Sequence, residues 1–355
     1  MLVVLALLST LIGMSASASP TSPARDDRAT RAQFAGSAAI AVDLTTGIEL
    51  FAVNPDDPLQ PASTIKIVTA LVAVDLLERD TQIVVEDRDL VDPTVFSNMG
   101  LMAGDTLTVH DLLAGLLIQS AGDAALALAR GGGLVLDPNS VDPVGLFVQE
   151  MNTYAASIGM TGTSIANPIG ADDAVNQRST ARDLVRATQR LMDDWLLSRF
   201  VATDYLIVNT GGPNARQIEL NTSNGLLERS DVFGVKTGTE DLAGQCLITG
   251  FWRGDNQIIV VVLGSADRYA DTLAVMEAVD NEFRWVALGQ GTRSAGASDA
   301  LAAQGLTFIT RRTVIMRAAD ADSITWEFID EPTSYRRGEV VFTIGERQIA
   351  RLPVY

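Results

Sequence analysis

The chain has 355 residues, enough for about two domains, or for one large domain with an appendage. Hydrophobic residues make up 47% and charged residues 20%, which supplies a sizeable core and excludes a disordered or low-complexity chain. With 26 basic against 44 acidic residues the net charge is −18, which excludes nucleic acid as a partner and argues against docking on an anionic lipid surface.

In chain order, residues 2–14 form an apolar run too short for a comfortable transmembrane helix, followed by the small-residue pattern Ala16-Ser17-Ala18. The segment 1–18 reads as a signal peptide, although no Lys or Arg precedes the run, and 19–34 as a linker. Export out of the cytoplasm follows. Two short strands around Thr45-Thr46-Gly47 predict a hairpin. Ile65, Val68, Val72 and Leu76 recur on one face of a helix that starts near Ser63. A second helix over 111–119 breaks at Ser120-Ala121-Gly122, resumes at Asp123 and stops at Gly131-Gly132-Gly133. Helices follow over 145–158 and 180–199.

Strands are expected over 233–236, 245–252 and 257–264, the last two joined tightly through Arg253-Gly254-Asp255-Asn256, and then a helix over 268–286. This order predicts a mixed α+β domain over 35–288, an antiparallel sheet flanked by helices. A Gly/Ser/Ala/Thr-rich linker over 289–304 and a small β-rich C-terminal domain over 305–355 complete the chain. The end, Arg351-Leu-Pro-Val-Tyr355, reads as the close of a strand rather than a basic membrane anchor.

The scarce residues carry the chemistry. A single cysteine, Cys246, excludes an intramolecular disulfide and a Cys-based zinc cluster. A single histidine, His110, excludes a His-rich metal site, and its place in a helix's first turn reads as structural. The 26 basic residues are 24 Arg and only two Lys, Lys66 and Lys236. Arg keeps its proton in a protein, so a chain this biased retains Lys where a deprotonatable amine or a compact ammonium is needed.

Both lysines lie in motifs. In Ser63-Thr64-Ile65-Lys66 the hydroxyl and the amine are three apart on a helix and can meet. A neutral lysine can take the proton of the otherwise poor serine nucleophile, provided burial or a nearby cation lowers its pKa from ~10.4. Lys236-Thr237-Gly238 offers an ammonium and a hydroxyl on a strand. Its glycine leaves room for a substrate backbone, which suits a peptide ending in a carboxylate. Ser120, in the break between two helices, is either a capping residue or a third hydroxyl aimed at the same place.

Taken together, Ser63-x-x-Lys66, Ser120-x-Gly122 and Lys236-Thr237-Gly238 resemble the three motifs of the penicillin-recognising serine enzymes. The stretches Gln60 to Lys66, Gln119 to Ala125, Ile165 to Gly170, Ser179 to Leu184, Asn221 to Leu227 and Gly234 to Glu240 narrow this further. They are similar to the D-alanyl-D-alanine carboxypeptidases of serine peptidase family S11, over residues 35 to 288. The resemblance implies a β-lactamase/transpeptidase-like fold and removal of the terminal D-alanine from peptidoglycan stem peptides ending in D-Ala-D-Ala. It implies that β-lactams act as covalent inhibitors, and it calls for no metal or organic cofactor.

By the same resemblance Ser63 is the acylated nucleophile, Lys66 its general base and Ser120 the relay to the leaving D-alanine. Lys236 and Thr237 hold the substrate carboxylate with help from Arg268, Gly238 lies alongside the substrate, and the N–H groups of Ser63 and Thr239 form the oxyanion hole. One departure stands out: the family's second motif usually ends in Asn, where this chain has Gly122. The lost amide implies slow acylation, restored by Gly122→Asn. It also keeps open a weak or inactive penicillin-binding cell-wall protein. A serine β-lactamase is a further alternative, although no Glu-x-x-Leu-Asn lies between the first and third motifs.

Overall fold

The computed structural model describes residues 34–355; the expected signal peptide and nearly all of the linker after it lie outside the described residues. The elements run β1 (Ala38–Asp43), β2 (Ile48–Val53), α1 (Lys66–Leu76), β3 (Gln82–Val84), β4 (Thr106–Thr108), α2 (Val109–Ile118), α3 (Gly122–Leu136), α4 (Pro143–Ser157), α5 (Ala181–Asp193), α6 (Trp195–Val201), β5 (Tyr205–Asn209), β6 (Gln217–Asn221), β7 (Val232–Glu240), β8 (Gly244–Arg253), β9 (Asn256–Ser265) and α7 (Arg268–Glu282). β10 (Phe283–Gly289), α8 (Ala297–Ala302), β11 (Arg311–Arg317), β12 (Ile324–Ile329), β13 (Gly338–Ile344) and β14 (Arg347–Val354) complete the chain. This is the expected α+β architecture.

A five-stranded antiparallel sheet of order β2-β1-β9-β8-β7 divides the main domain. Both its faces are apolar, as strand alternation requires of a sheet buried on two sides. Ile40, Cys246, Ile248, Val261 and Leu263 pack under α1, α2, α3 and α5, whereas Ala39, Leu247, Phe251, Val260 and Val262 pack against α7. β7, which carries Lys236-Thr237-Gly238, is an edge strand, so its free side is open to a ligand.

Several predicted boundaries shift for identifiable reasons. Helix α3 runs through Gly131-Gly132-Gly133 instead of stopping there, because α4 crosses it at that point. A Cβ at Gly133 would lie 1.8 Å from the Pro143 carbonyl oxygen, and one at Gly132 would lie 2.7 Å from the Phe147 ring. The stretch 180–199 is two helices, broken at Asp194, whose carboxylate accepts from the Leu196 and Leu197 N–H groups as the cap of α6.

Helix α7 ends at Glu282, and residues 283–289 form a strand paired with β11. The expected linker over 289–304 is partly helical, with Ala297 and Leu301 buried in a small core beside Phe308, Val340, Phe342 and Leu352. β12, β13 and β14 form a three-stranded sheet, whereas residues 306–310 make only a single bridge through Phe308. Among the described residues no helix is long and apolar enough to cross a membrane.

Candidate active site

The chain enters α1 through a 3₁₀ turn, Ala62–Ile65, in which residues three apart eclipse each other. That geometry sets Lys66 Nζ 2.8 Å from Ser63 Oγ. Lys66 is 3% exposed, and burial pushes its amine down from 10.5 to about 7, while the charges of Glu240 and Asp123 pull the other way. Desolvation wins, and the amine titrates near neutrality. Its other partner is the main-chain carbonyl of Ile169, at 2.6 Å.

The Ile169 carbonyl is held in place by local chemistry. The Asn167 side chain accepts from the N–H groups of Gly170 and Ala171 at 2.8 and 3.0 Å and closes a turn. Gly170 has φ +82°, and a Cβ there would lie 2.2 Å from the Ala62 carbonyl oxygen. The stretch Asn167-Pro-Ile-Gly170 therefore braces the turn that carries Ser63. Sequence reasoning noted this stretch without seeing that its backbone holds Lys66.

Ser120 lies between α2 and α3 with φ +63°, a left-handed conformation rare for a residue with a Cβ, and is 4% exposed. It lines the cavity that Ser63 and Lys66 also line. Gly122 opens α3, and its N–H donates to the Ser97 carbonyl at 2.7 Å. A Cβ at this position would stand 3.3 Å from both that oxygen and Val91 Cγ1. The 91–98 loop therefore lies directly against Gly122, the last residue of the second motif.

β7 forms the opposite wall. Gly238 faces Ser63 itself, since a Cβ there would lie 2.9 Å from both the Ala62 Cβ and the Ser63 nitrogen. Its missing side chain lets the strand approach the nucleophile's turn, and Gly238 also lines the cavity. Thr237 Oγ1 is 2.6 Å from Ser223 Oγ. Arg268, at the start of α7, donates to the carbonyls of Gly238 and Cys246 at 2.9 and 3.2 Å, to Gln245 Oε1 at 3.1 Å and to the Thr239 hydroxyl.

Lys236 is 1% exposed and its Nζ donates to the Thr237 carbonyl at 2.9 Å. Burial first, then the charges of Lys66 and Arg268, hold its amine well below the ordinary lysine range. The two lysines thus converge electrostatically. Only Lys66 lines the cavity, while Lys236 stands behind its wall.

The cavity, of about 300 Å³, brings Ser63, Lys66, Ser120, Thr237, Gly238, Thr239 and Arg268 together. Ser97, Ser223, Gln245 and Glu240 also line it. None of these had a role assigned from sequence, although Ser223 and Glu240 fall inside quoted stretches. Among the described residues no cluster of three or more His, Cys, Asp or Glu is placed to hold a metal ion. His110 lies elsewhere, 3.1 Å from the Asp111 carboxylate and edge-on to Phe200, which is a structural role.

Comparison with known proteins agrees with this geometry. A family model described as D-alanyl-D-alanine carboxypeptidase, peptidase S11, matches residues 25–267. The chain is 34% identical over 237 residues to the D-alanyl-D-alanine carboxypeptidase DacC of Escherichia coli, covering 64% of this chain and 56% of that one. It is 30% identical over 288 residues to DacF of Bacillus subtilis, covering 78% and 70%. It thus spans little over half the length of the first of these relatives.

The crystal structure of the Streptomyces K15 DD-transpeptidase superposes with a TM-score of 0.64 at 28% identity, over 70% of this chain and 96% of that one. Penicillin-binding protein 6B of Escherichia coli shares the fold at a TM-score of 0.67 and 23% identity, over 96% of this chain and 99% of that one. The chain belongs to the D-alanyl-D-alanine carboxypeptidase family, peptidase S11.

Proposed function

We propose that this member of the D-alanyl-D-alanine carboxypeptidase family is itself a serine-type carboxypeptidase that removes the terminal D-alanine of peptidoglycan stem peptides outside the cytoplasmic membrane. The observation that carries the reading is a buried amine near neutrality 2.8 Å from a serine hydroxyl. Neutral Lys66 takes the Ser63 proton as Oγ attacks the carbonyl carbon of the penultimate D-alanine. The developing oxyanion accepts from the N–H groups of Ser63 and Thr239, a contribution of roughly 3–4 kcal/mol per donor in other hydrolases. Ser120 passes the proton to the departing D-alanine nitrogen, and water then releases the acyl group from Ser63.

Thr237, Thr239 and Arg268 receive the substrate's terminal carboxylate. Lys236, behind them, contributes through the field of its amine and by orienting the Thr237 peptide. β-Lactams acylate Ser63 by the same attack. The test is mass spectrometry of the penicillin adduct together with release of D-alanine from an acyl-D-Ala-D-Ala tripeptide. A single adduct on the peptide containing Ser63, with D-alanine released, supports the reading. No adduct, or one on another residue, sinks it. Rapid turnover of the antibiotic points instead to a β-lactamase, and stable labelling without D-alanine release to an inactive cell-wall protein.

A further inference from the structure

Hydrolysis of the acyl-enzyme needs a base for the attacking water, and the steps above leave that base unassigned. The chain's one histidine, His110, packs against Phe200 away from the cleft. Among the described residues Glu240 is the one carboxylate that lines the cavity of Ser63, Lys66 and Ser120.

Two carboxylates act on the Lys66 amine, Glu240 and then Asp123, and they are held differently. Asp123 is buried and committed to the main chain, accepting from the N–H groups of Met99 and Leu101 at 3.1 and 3.0 Å. The Glu240 carboxylate makes no hydrogen bond and no salt bridge among the described residues, so its lone pairs are open to water. The strand that carries it passes the nucleophile, since a Cβ at Gly238 would lie 2.9 Å from the Ser63 nitrogen. Glu240 follows two residues later, at the end of β7.

Asp172 faces Glu240 from the loop after Gly170. Its Oδ2 accepts from the Leu242 N–H at 2.7 Å, which ties that loop to the β7–β8 turn, and its Oδ1 is buried without a partner. Desolvation and then the Asp172 charge raise the Glu240 carboxyl above its ordinary range, with Lys66 opposing and Asp241 adding to the rise. A carboxylate in such surroundings is a stronger base than a solvated one.

We infer that Glu240 is the base that activates water to hydrolyse the acyl-enzyme, so that this chain clears a penicilloyl group from Ser63 as well as a peptidyl one. The inference rests on the acyl-enzyme at Ser63 proposed above. The carboxylate takes a proton from water as the water oxygen bonds to the ester carbonyl carbon. The bond from that carbon to Ser63 Oγ then breaks and the acyl group leaves as its carboxylic acid. The proton on Glu240 returns to Oγ through the Lys66 amine, 2.8 Å from it.

The rival base is Lys66, and the two differ in sign. Glu240 favours the ammonium form of Lys66, so removing its charge leaves more neutral amine. If Lys66 served the water, Glu240→Gln would speed hydrolysis or leave it unchanged, whereas a carboxylate base requires it to slow.

Native protein, Glu240→Gln, Glu240→Ala and Glu240→Asp are each acylated with benzylpenicillin at pH 8 and freed of excess antibiotic. Decay of the adduct is then followed by intact-mass spectrometry, with folding checked by thermal unfolding. The Gln and Ala variants should lose the adduct roughly 10²- to 10⁴-fold more slowly than the native protein, and Glu240→Asp should keep part of the native rate. Decay as fast as native, or faster, in whichever of the Gln and Ala variants folds would overturn Glu240 as the base and leave the acyl-enzyme standing. A folded variant that takes no penicillin overturns it too, because at pH 8 the carboxylate adds nothing to the first step. If the native protein forms no adduct on Ser63, the underlying reading fails and the inference falls with it.

Discussion

The main-chain carbonyl of Ile169 sits 2.6 Å from Lys66 Nζ and 3.4 Å from Ser63 Oγ, so one backbone oxygen orients both partners of the proton transfer. A carbonyl accepts from either protonation state of the amine, and burial sets which state prevails, near pH 7. Because the base is the neutral amine, its active fraction grows as pH rises through about 7. The second-order rate of acylation by benzylpenicillin should therefore climb between pH 5.5 and 8 and then level. Lys66→Arg, which keeps the charge and cannot shed the proton, should lose roughly 10²- to 10⁴-fold at every pH. A flat profile would remove Lys66 from the role of base.

Glu240 tunes that profile. It lines the cleft at the end of β7, and its negative charge favours the ammonium form of Lys66. Its own carboxyl is raised by desolvation and then by the charge of Asp172, with Lys66 opposing and Asp241 reinforcing the rise. Glu240→Gln removes a charge that raises the lysine's pKa, so the rising limb of the acylation profile should move to lower pH. Movement to higher pH, or none, would place the carboxylate too far from Lys66 to matter.

Much of this site was legible because composition concentrated the signal. With only two lysines in the chain, each in a motif, the positions able to supply an amine were fixed before any fold was known. Apolar periodicity likewise located α1 and the edges of β8 and β9. What stayed hidden depends on contacts between segments distant in sequence. Gly131 to Gly133 carry the local signature of a helix stop, yet they are the crossing point with α4. Ile169 contributes a carbonyl, which no side-chain pattern can announce, and Gly238 serves the approach of β7 to Ser63. Residues 283–286 continued the expected helix of α7, yet Phe283–Gly289 is a strand because β11 pairs with it.

Gly122 allows a cleaner test than a single substitution gives. Asn at this position adds an amide that can position substrate, but its Cβ also presses on the Ser97 carbonyl and Val91 at 3.3 Å. Gly122→Ala adds the crowding alone. Acylation should slow in Gly122→Ala as the 91–98 loop shifts. Gly122→Asn should exceed the Ala variant by roughly 5- to 150-fold, the equivalent of the about 1–3 kcal/mol that an unsatisfied buried polar partner costs. Rates measured with penicillin on both variants decide the matter: an Asn variant no faster than the Ala variant would show that the amide has no productive partner in this cleft.

The stability of the loop wall depends on a buried ion pair behind it. Arg130 on α3 donates to both carboxylate oxygens of Asp89, through Nε at 2.8 Å and Nη2 at 2.7 Å, and also to the Val84 carbonyl. The Asp89 side chain is 1% exposed and that of Arg130 6%. The pair links the turn just before the 91–98 loop to the helix that begins at Gly122. Arg130→Met leaves a buried carboxylate without its cation, which should cost about 3–5 kcal/mol, whereas removing both charges in Asp89→Leu/Arg130→Met should recover a large part of that loss. Urea unfolding of the two single variants and the double variant closes the cycle. A single-variant loss below about 1 kcal/mol would mean that water reaches the pair, because an exposed pair is worth no more than that.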